Sequence, residues 1–398
     1  MTRFFLSNLL FKMEKENSLL VFIQILLIYL KQKLISLINS IEICCLLKLK
    51  FGLKVNKQRN GSSDIDYCYL QLNKVSRSFS FVIQQLPDEI RDIICIFYLV
   101  LRGLDTIEDD PNVPIQQKRI LLKTFHEKLF VHHWSIENIG DNQQSKDLLT
   151  NFHRILNVFQ SFDVKYQRII VDITKRMADG MIRFVESNDS IETLDEYNLY
   201  CHYVAGLVGH GLSQIFVESH LESKSLIDNL SLSNSMGLFL QKTNIIRDYL
   251  EDLHAGRIWW PKQIWNKYVS QIDLLSTNPT DNRSVECLNE MICDALTHLP
   301  DVLLYLNQIQ NEQIFRFCAI PQLMALATLE QLYSNPKVFT SIVKIRKGLS
   351  AKILFNSSNI IEINRWIQTL TQQFQKKIII NNHLHHPKSI YQSLTLTF

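Results

Sequence analysis

Two acidic runs interrupt a chain that is otherwise rich in apolar residues. The first is Asp105-Thr106-Ile107-Glu108-Asp109-Asp110, at the end of a long apolar stretch. Asp105, Glu108 and Asp109 fall at i, i+3 and i+4, so on a helix their carboxylates share one face. Like charges at that spacing repel by about 0.2–0.5 kcal/mol per exposed pair, and a divalent cation turns the penalty into a binding site. Hard oxygen ligands on one face, with room for water and phosphate, suit Mg²⁺, with Mn²⁺ as an alternate ion. The second run spans residues 244–252, where Asn244, Asp248 and Asp252 fall at i, i+4 and i+8. Their neighbours Ile245, Ile246, Tyr249 and Leu250 are apolar, which predicts a buried helix with one polar line facing inward. Buried carboxylates need partners, so that line should face metal, water or a charged ligand. Either run alone reads as an ordinary solvated helix end. Together, on separate apolar helices, they point to Mg²⁺ held around a diphosphate leaving group, with apolar walls to shelter a carbocation.

The elements that must position these runs are helical. Ile93, Ile94, Phe97, Tyr98, Leu101 and Leu104 recur at three- and four-residue steps, and 110–114 (Asp-Pro-Asn-Val-Pro) then breaks the pattern. Residues 150–186, 197–219 and 233–253 read as three further long helices, and helices resume from about 283 to 370. Eleven Gly and nine Pro in 398 residues are too few for a many-stranded sandwich or barrel, so the fold class is all-α. The net charge of +3, without basic residues interleaved with aromatics, argues against a nucleic-acid surface. The eight cysteines form no CxxC pair and most lie in apolar runs, which predicts reduced thiols and a cytosol-facing protein.

The ends of the chain differ from its middle. Leu19–Leu30 is apolar except for Gln24, yet shorter than the roughly 20 residues of a spanning helix. It reads either as an interfacial, membrane-associated helix or as a helix packed on the main domain. The tail from Lys376 to Phe398 is rich in Asn, His and Lys and predicts loose order.

Around the acidic runs the chain resembles the squalene synthases of the phytoene/squalene synthase family. Ser76-Arg77-Ser78-Phe79 and the stretch 97–110 are similar to their first substrate-binding region. Residues 200–209, with Tyr203, resemble their catalytic tyrosine segment, and 236–252 resemble the second aspartate motif. Phe317-Cys318-Ala319-Ile320-Pro321-Gln322 and Lys344-Ile345-Arg346-Lys347-Gly348 complete the set, over roughly residues 39–370. The resemblance implies a single-domain isoprenoid-synthase bundle at 39–370, between a hydrophobic extension at 1–38 and a polar tail at 371–398.

It also implies the chemistry. Two farnesyl diphosphates would condense head to head into presqualene diphosphate, which NADPH then reduces to squalene, the first committed step toward sterols. Asp105, Glu108, Asp109, Asn244, Asp248 and Asp252 would hold the metal, and Tyr203 would manage the proton of the first half-reaction. Arg77, Arg102, Arg247, Lys344 and Arg346 would contact NADPH or diphosphate, while Ser76, Phe79, Gln241 and Phe317 would bind substrate. No dinucleotide fingerprint supports NADPH independently, because the run 206–211 has the wrong spacing and lies in a helical pattern. Its glycines serve close helix approach or substrate access. Outside these motifs Tyr203 would read as a core tyrosine, Phe79, Phe239 and Phe317 as core or cavity wall, and 344–347 as a solvated basic run. His202 and His210 read as structural. Ala178 and Asp179 stand where the family is more glycine-rich or apolar, and Asp179 is expected to face solvent. A monomer at the endoplasmic reticulum membrane follows, with its catalytic domain toward the cytosol. The nearest rival is a phytoene or dehydrosqualene synthase, which needs no reductant. A rival of another class is a catalytically silent helical scaffold.

Overall fold

Ile90, Ile93, Ile94, Phe97, Leu101 and Leu104 are all buried along one helix of the computed structural model. The structure describes Glu42, residues 63–186 and residues 191–380. Among them are ten helices of ten or more residues, which we number in chain order. They are α1 Asp64–Val75, α2 Asp88–Asp109, α3 Ile115–Lys128, α4 Val164–Glu186 and α5 Leu207–Glu218. The series continues with α6 Leu230–Arg247, α7 Asn282–Leu296, α8 Leu299–Gln308, α9 Glu312–Leu332 and α10 Ile360–Ile380. The described residues contain no strand element, as the composition predicts.

The chain divides into two compact units, residues 1–56 with 346–355 and residues 57–345 with 356–398. In the first, a helix runs over Lys347–Phe355, and Glu42 accepts a hydrogen bond from Arg346 at 3.0 Å. The apolar run Leu19–Leu30 and the expected boundary at residue 38 lie outside the described residues. No described helix is long and apolar enough to cross a membrane.

Within the second unit α6 is the central helix. It packs against α5, α7, α8, α9 and the turn that precedes α5. Its apolar residues Met236, Leu238, Phe239, Ile245 and Ile246 are buried on one side, while Leu240 and Gln241 are half-buried and Asn244 is exposed on the other. The polar residues it carries into the core are each satisfied. Ser235 donates to Asp301 at 2.7 Å, Thr243 to the Phe239 carbonyl at 2.7 Å, and Lys242 to Asp294 at 2.7 Å. Lys242 is only 1% exposed, and its ammonium also lies 5.2 Å from the centre of the Tyr197 ring. This pair fixes α6 against α7 at the level where the second acidic run begins.

Several boundaries differ from the sequence pattern. Residues 150–186 form two helices, Phe152–Gln160 and α4, because Ser161, Phe162 and Asp163 turn the chain between them. The stretch 197–219 is not one regular helix: Leu194–Cys201 leads into a π turn at His202–Gly206 and then α5. The predicted loose tail begins later than expected, since α10 continues to Ile380 on Phe374 and Ile378, both buried. Residues 381–398 lie outside the described residues.

Removing one partner of a buried ion pair typically costs about 3–5 kcal/mol. Asp294→Ala should therefore lower unfolding stability by about that amount, while the double change Lys242→Met with Asp294→Leu should recover most of it. Denaturant unfolding checks this, and equal stability of Asp294→Ala and the parent would remove the pair from the account.

Candidate active site

The first acidic run occupies the last turn of α2. Negative charge at a helix C-terminus opposes the helix dipole, at about 0.3–1 kcal/mol per group, and no basic residue sits in that turn to offset it. Asp110 closes the helix and plays a structural part, its carboxylate accepting the amides of Gly140 at 2.7 Å and Asn112 at 2.8 Å. Burial pushes Asp110 up, but those amides outweigh it and hold the group below its ordinary value. Asp105 has no hydrogen bond or ion pair among the described residues. Burial pushes its carboxyl up to about 7, against the pull of Arg102 and with the added repulsion of Asp109. Asp109 is raised in the same way, with Arg257 and Arg102 working against burial.

The second run bends where α6 ends at Arg247 and a short helix, Tyr249–His254, begins. Asp248 is held by its neighbour Arg247, whose Nε and Nη2 reach its two oxygens at 2.7 and 2.5 Å. Asp252 is raised to about 6 by burial, which outweighs the Arg257 beside it. Gly256 then takes a positive φ of 74°, a conformation open to glycine, and the chain turns back so that the Arg257 amide bonds the Asp252 carbonyl at 2.9 Å. From there the Arg257 guanidinium lies 3.0 Å from Asp252 and 3.7 Å from Asp109. One arginine thus spans both acidic runs. It was not among the predicted site residues. The available signal was a glycine followed by an arginine directly after the second run.

Next to these carboxylates lies a cavity of about 250 Å³. Arg102, Asp105, Gln241 and Asn244 belong to the polar part of its lining, and Phe79, Phe97, Leu101, Leu212 and Phe317 to the apolar part. Phe317 comes from α9, whose Pro321 also lines the space and cannot donate to the carbonyl one turn back. Gln322 beside it ties α9 to α6 by donating to the Met236 carbonyl at 3.1 Å. The predicted residues thus divide. Arg102, Asp105, Gln241, Asn244, Phe79 and Phe317 share the cavity; Asp109, Asp248 and Asp252 stand with Arg247 and Arg257 among the acidic runs. Glu108 is half-buried on the same last turn.

Ser76 does not line the cavity; its hydroxyl caps the helix Arg77–Ile83 by accepting the Phe79 amide at 3.3 Å. The side chain of Arg77 lies outside the described residues. Lys344 is exposed, and Arg346 pairs with Glu42. Tyr203 sits in the π turn, half-buried, and the residues after it, Val204 and Ala205, line the cavity. π turns inserted between α-helical segments are frequent at functional sites.

Asp179 is exposed, as expected, and Ala178 is buried. The glycines of 206–211 permit close approach: a Cβ on Gly209 would lie 2.2 Å from the Ser233 carbonyl oxygen, and one on Gly211 2.7 Å from the Phe97 ring. His210 is buried and bonds the Leu230 carbonyl at 3.1 Å, a structural role. Cys68, Cys95, Cys201, Cys287, Cys293 and Cys318 are all buried; Cys44 and Cys45 lie outside the described residues.

Among the described residues no three acidic, histidine or cysteine side chains converge into a ready-made metal cage. Mg²⁺ does not require one, since it is commonly bound by one or two carboxylates plus substrate phosphates and water. Asp105, without a hydrogen bond or ion pair among the described residues and at the wrong end of a helix dipole, fits such an ion.

The described residues are helical, with acidic runs from two helices beside a largely apolar cavity. The squalene/phytoene synthase family model matches residues 72–348. Squalene synthase of Schizosaccharomyces pombe is 44% identical over 334 residues, 82% of this chain and 73% of that protein. Squalene synthase 1 of Arabidopsis thaliana is 44% identical over 326 residues, 81% and 78%. The solved complex of TcSQS with the ligand E5700 superposes with a TM-score of 0.81 at 40% identity, covering 84% of this chain and 97% of that one. A dehydrosqualene synthase in complex with ligand shares the fold at a TM-score of 0.52 and 20% identity, covering 77% and 97%. The chain belongs to the squalene/phytoene synthase family.

The raised Asp105 carboxyl has a consequence for stability. Between its ordinary value of 3.8 and about 7 the folded protein holds a proton that the unfolded chain has released. Stability from this group is therefore lost as pH rises through that window. Asn cannot ionise. Without Mg²⁺, Asp105→Asn should melt progressively higher than the parent as pH rises from about 4 to about 7. Thermal scans across pH test this, and a difference that does not vary with pH would contradict the raised carboxyl.

Proposed function

We propose that this chain condenses two farnesyl diphosphates head to head into presqualene diphosphate and then reduces that product, with NADPH, to squalene. The observation that carries the reading is the meeting of the two acidic runs at Arg257, beside a cavity whose walls are mostly apolar. The 44–46% identity to curated squalene synthases over most of the chain supports the same transferase chemistry.

In the first half-reaction the carbon–oxygen bond of one farnesyl diphosphate breaks and diphosphate leaves with the electron pair. The double bond of the second attacks the allylic cation, and loss of one proton closes a cyclopropane. Asp105, Glu108, Asp109, Asn244, Asp248 and Asp252 would hold Mg²⁺, which when bound neutralises charge developing on the departing oxygens. Arg102, Arg247 and Arg257 would receive diphosphate oxygens, for which the guanidinium fork suits bidentate pairing. Phe79, Phe97 and Phe317 exclude water from the cation. Tyr203 would pass on the cyclopropyl proton; a phenol is a weak base at neutral pH, so the released diphosphate would accept it finally.

In the second half-reaction the cyclopropylcarbinyl diphosphate ionises, losing the second diphosphate. NADPH, when bound, supplies the hydride that quenches the rearranged cation and leaves as NADP⁺. Arg77, Arg102, Arg247, Lys344 and Arg346 would hold it by their charge. We further propose that the protein acts as a monomer and that residues 1–38 attach it to the endoplasmic reticulum membrane, with residues 39–370 as its catalytic domain facing the cytosol. The apolar run Leu19–Leu30 supports the attachment.

Incubation of the full chain with farnesyl diphosphate and Mg²⁺ tests the reading. Squalene should form with NADPH, and presqualene diphosphate or its rearranged alcohols without it. Asp109→Asn should abolish both while keeping the helical circular-dichroism signal. The same hydrocarbon with and without NADPH would instead assign a reductant-free synthase.

A further inference from the structure

Gly180 lies on α4, in the run Met177-Ala178-Asp179-Gly180-Met181, and faces the π turn at His202–Gly206. A Cβ built on Gly180 would fall 2.1 Å from Tyr203 Cγ, 2.4 Å from its Cδ1 and 2.5 Å from its Cβ. Those are the atoms nearest the tyrosine backbone, so rotating the far end of the ring gives no relief. The turn is also packed closely against α6. A Cβ on Gly237 of α6 would already lie 2.4 Å from the Ala205 carbonyl oxygen, and one on Gly206 2.0 Å from Asn234 Oδ1. One turn beyond Gly180, Phe184 presents its ring to Tyr203 at 6.5 Å and 63°, and to Tyr200 at 5.1 Å. Tyr200 in turn stacks on Trp259 at 4.2 Å.

We infer that α4 forms the seat of Tyr203, with Gly180 as the gap that admits the ring and Phe184 as its side wall, and that both are positioning residues for the proton of the first half-reaction. The inference rests on the role proposed above for Tyr203. The π turn supplies the reason a seat is needed. The extra residue of a π turn shifts the side chains that follow it off the regular helical register, and the turn's own backbone bonds are less regular than those of an α-helix. Packing must then fix where the Tyr203 hydroxyl stands. Acting through Tyr203, neither residue touches substrate.

The test separates the half-reactions in the full-length enzyme. The first is presqualene diphosphate formation from farnesyl diphosphate and Mg²⁺; the second is NADPH-dependent conversion of supplied presqualene diphosphate. Displacing a reacting group by about 1 Å can cost on the order of a hundredfold in rate. Gly180→Ala should lower kcat of the first half-reaction by roughly ten- to a hundredfold, with KM for farnesyl diphosphate and the second half-reaction little changed. In a Tyr203→Phe background, which has already lost the hydroxyl, Gly180→Ala should bring no further loss. A full first-step rate in Gly180→Ala, an equal loss in both half-reactions, or losses that multiply in the double variant would each overturn the seat. If Gly180→Ala yields no folded protein, Phe184→Leu takes its place, and an unchanged first step there would overturn it equally. A Tyr203→Phe enzyme with a normal first step would overturn the tyrosine assignment and the seat together. Loss in Tyr203→Phe with none in Gly180→Ala overturns the seat alone.

Discussion

Carboxylates taken out of water need cations, and that requirement organises this protein. Asp105, Asp109 and Asp252 are all pushed toward protonation by burial. Against this the chain sets Arg102, Arg247 and Arg257, each close to at least one of the acids. Arg257 matters most because it reaches both runs, Asp252 at 3.0 Å and Asp109 at 3.7 Å. It links the end of α2 to the segment that follows α6. The acids at the end of α2 also oppose the helix dipole. A sequence retained only for stability has no reason to place them there, whereas one that binds diphosphate with its counter-ions does.

The rest of the unit keeps those two helix ends in place. The Lys242–Asp294 pair and the Gln322 bond to Met236 fix α6 against α7 and α9. Gly209 and Gly211 let α5 approach α6 and α2 closely, and Gly237 lets α6 approach the π turn. Rigidity of this kind serves carbocation chemistry, in which the shape of the cavity decides which carbon atoms meet and whether water reaches them.

Much of this was legible in the sequence. The i, i+3, i+4 spacing of Asp105, Glu108 and Asp109 requires only a helix to share a face, and the apolar period before it supplies one. The break at Asp110–Pro114 followed from proline. Other features depend on contacts between distant segments, which local pattern does not encode. Residues 197–219 keep a helical pattern, yet the chain inserts a π turn at His202–Gly206 where α4 and α6 close on it. Ser76 caps the helix that carries Phe79, a role that depends on where that helix begins. The role of Arg257 depends on the positive φ of Gly256, which turns the chain back toward Asp252. Gly180 gave no sign of its partner, because the ring it admits arrives from another helix.

The central claim is that the two acidic runs form one site for diphosphate and its metal. Calorimetric titration of inorganic diphosphate with Mg²⁺ into the full chain measures this directly, without any turnover. The account predicts binding that requires both components and is lost in Asp109→Asn and in Asp252→Asn alike, although the two residues lie on different helices. Binding that survives undiminished in either variant would contradict a shared site.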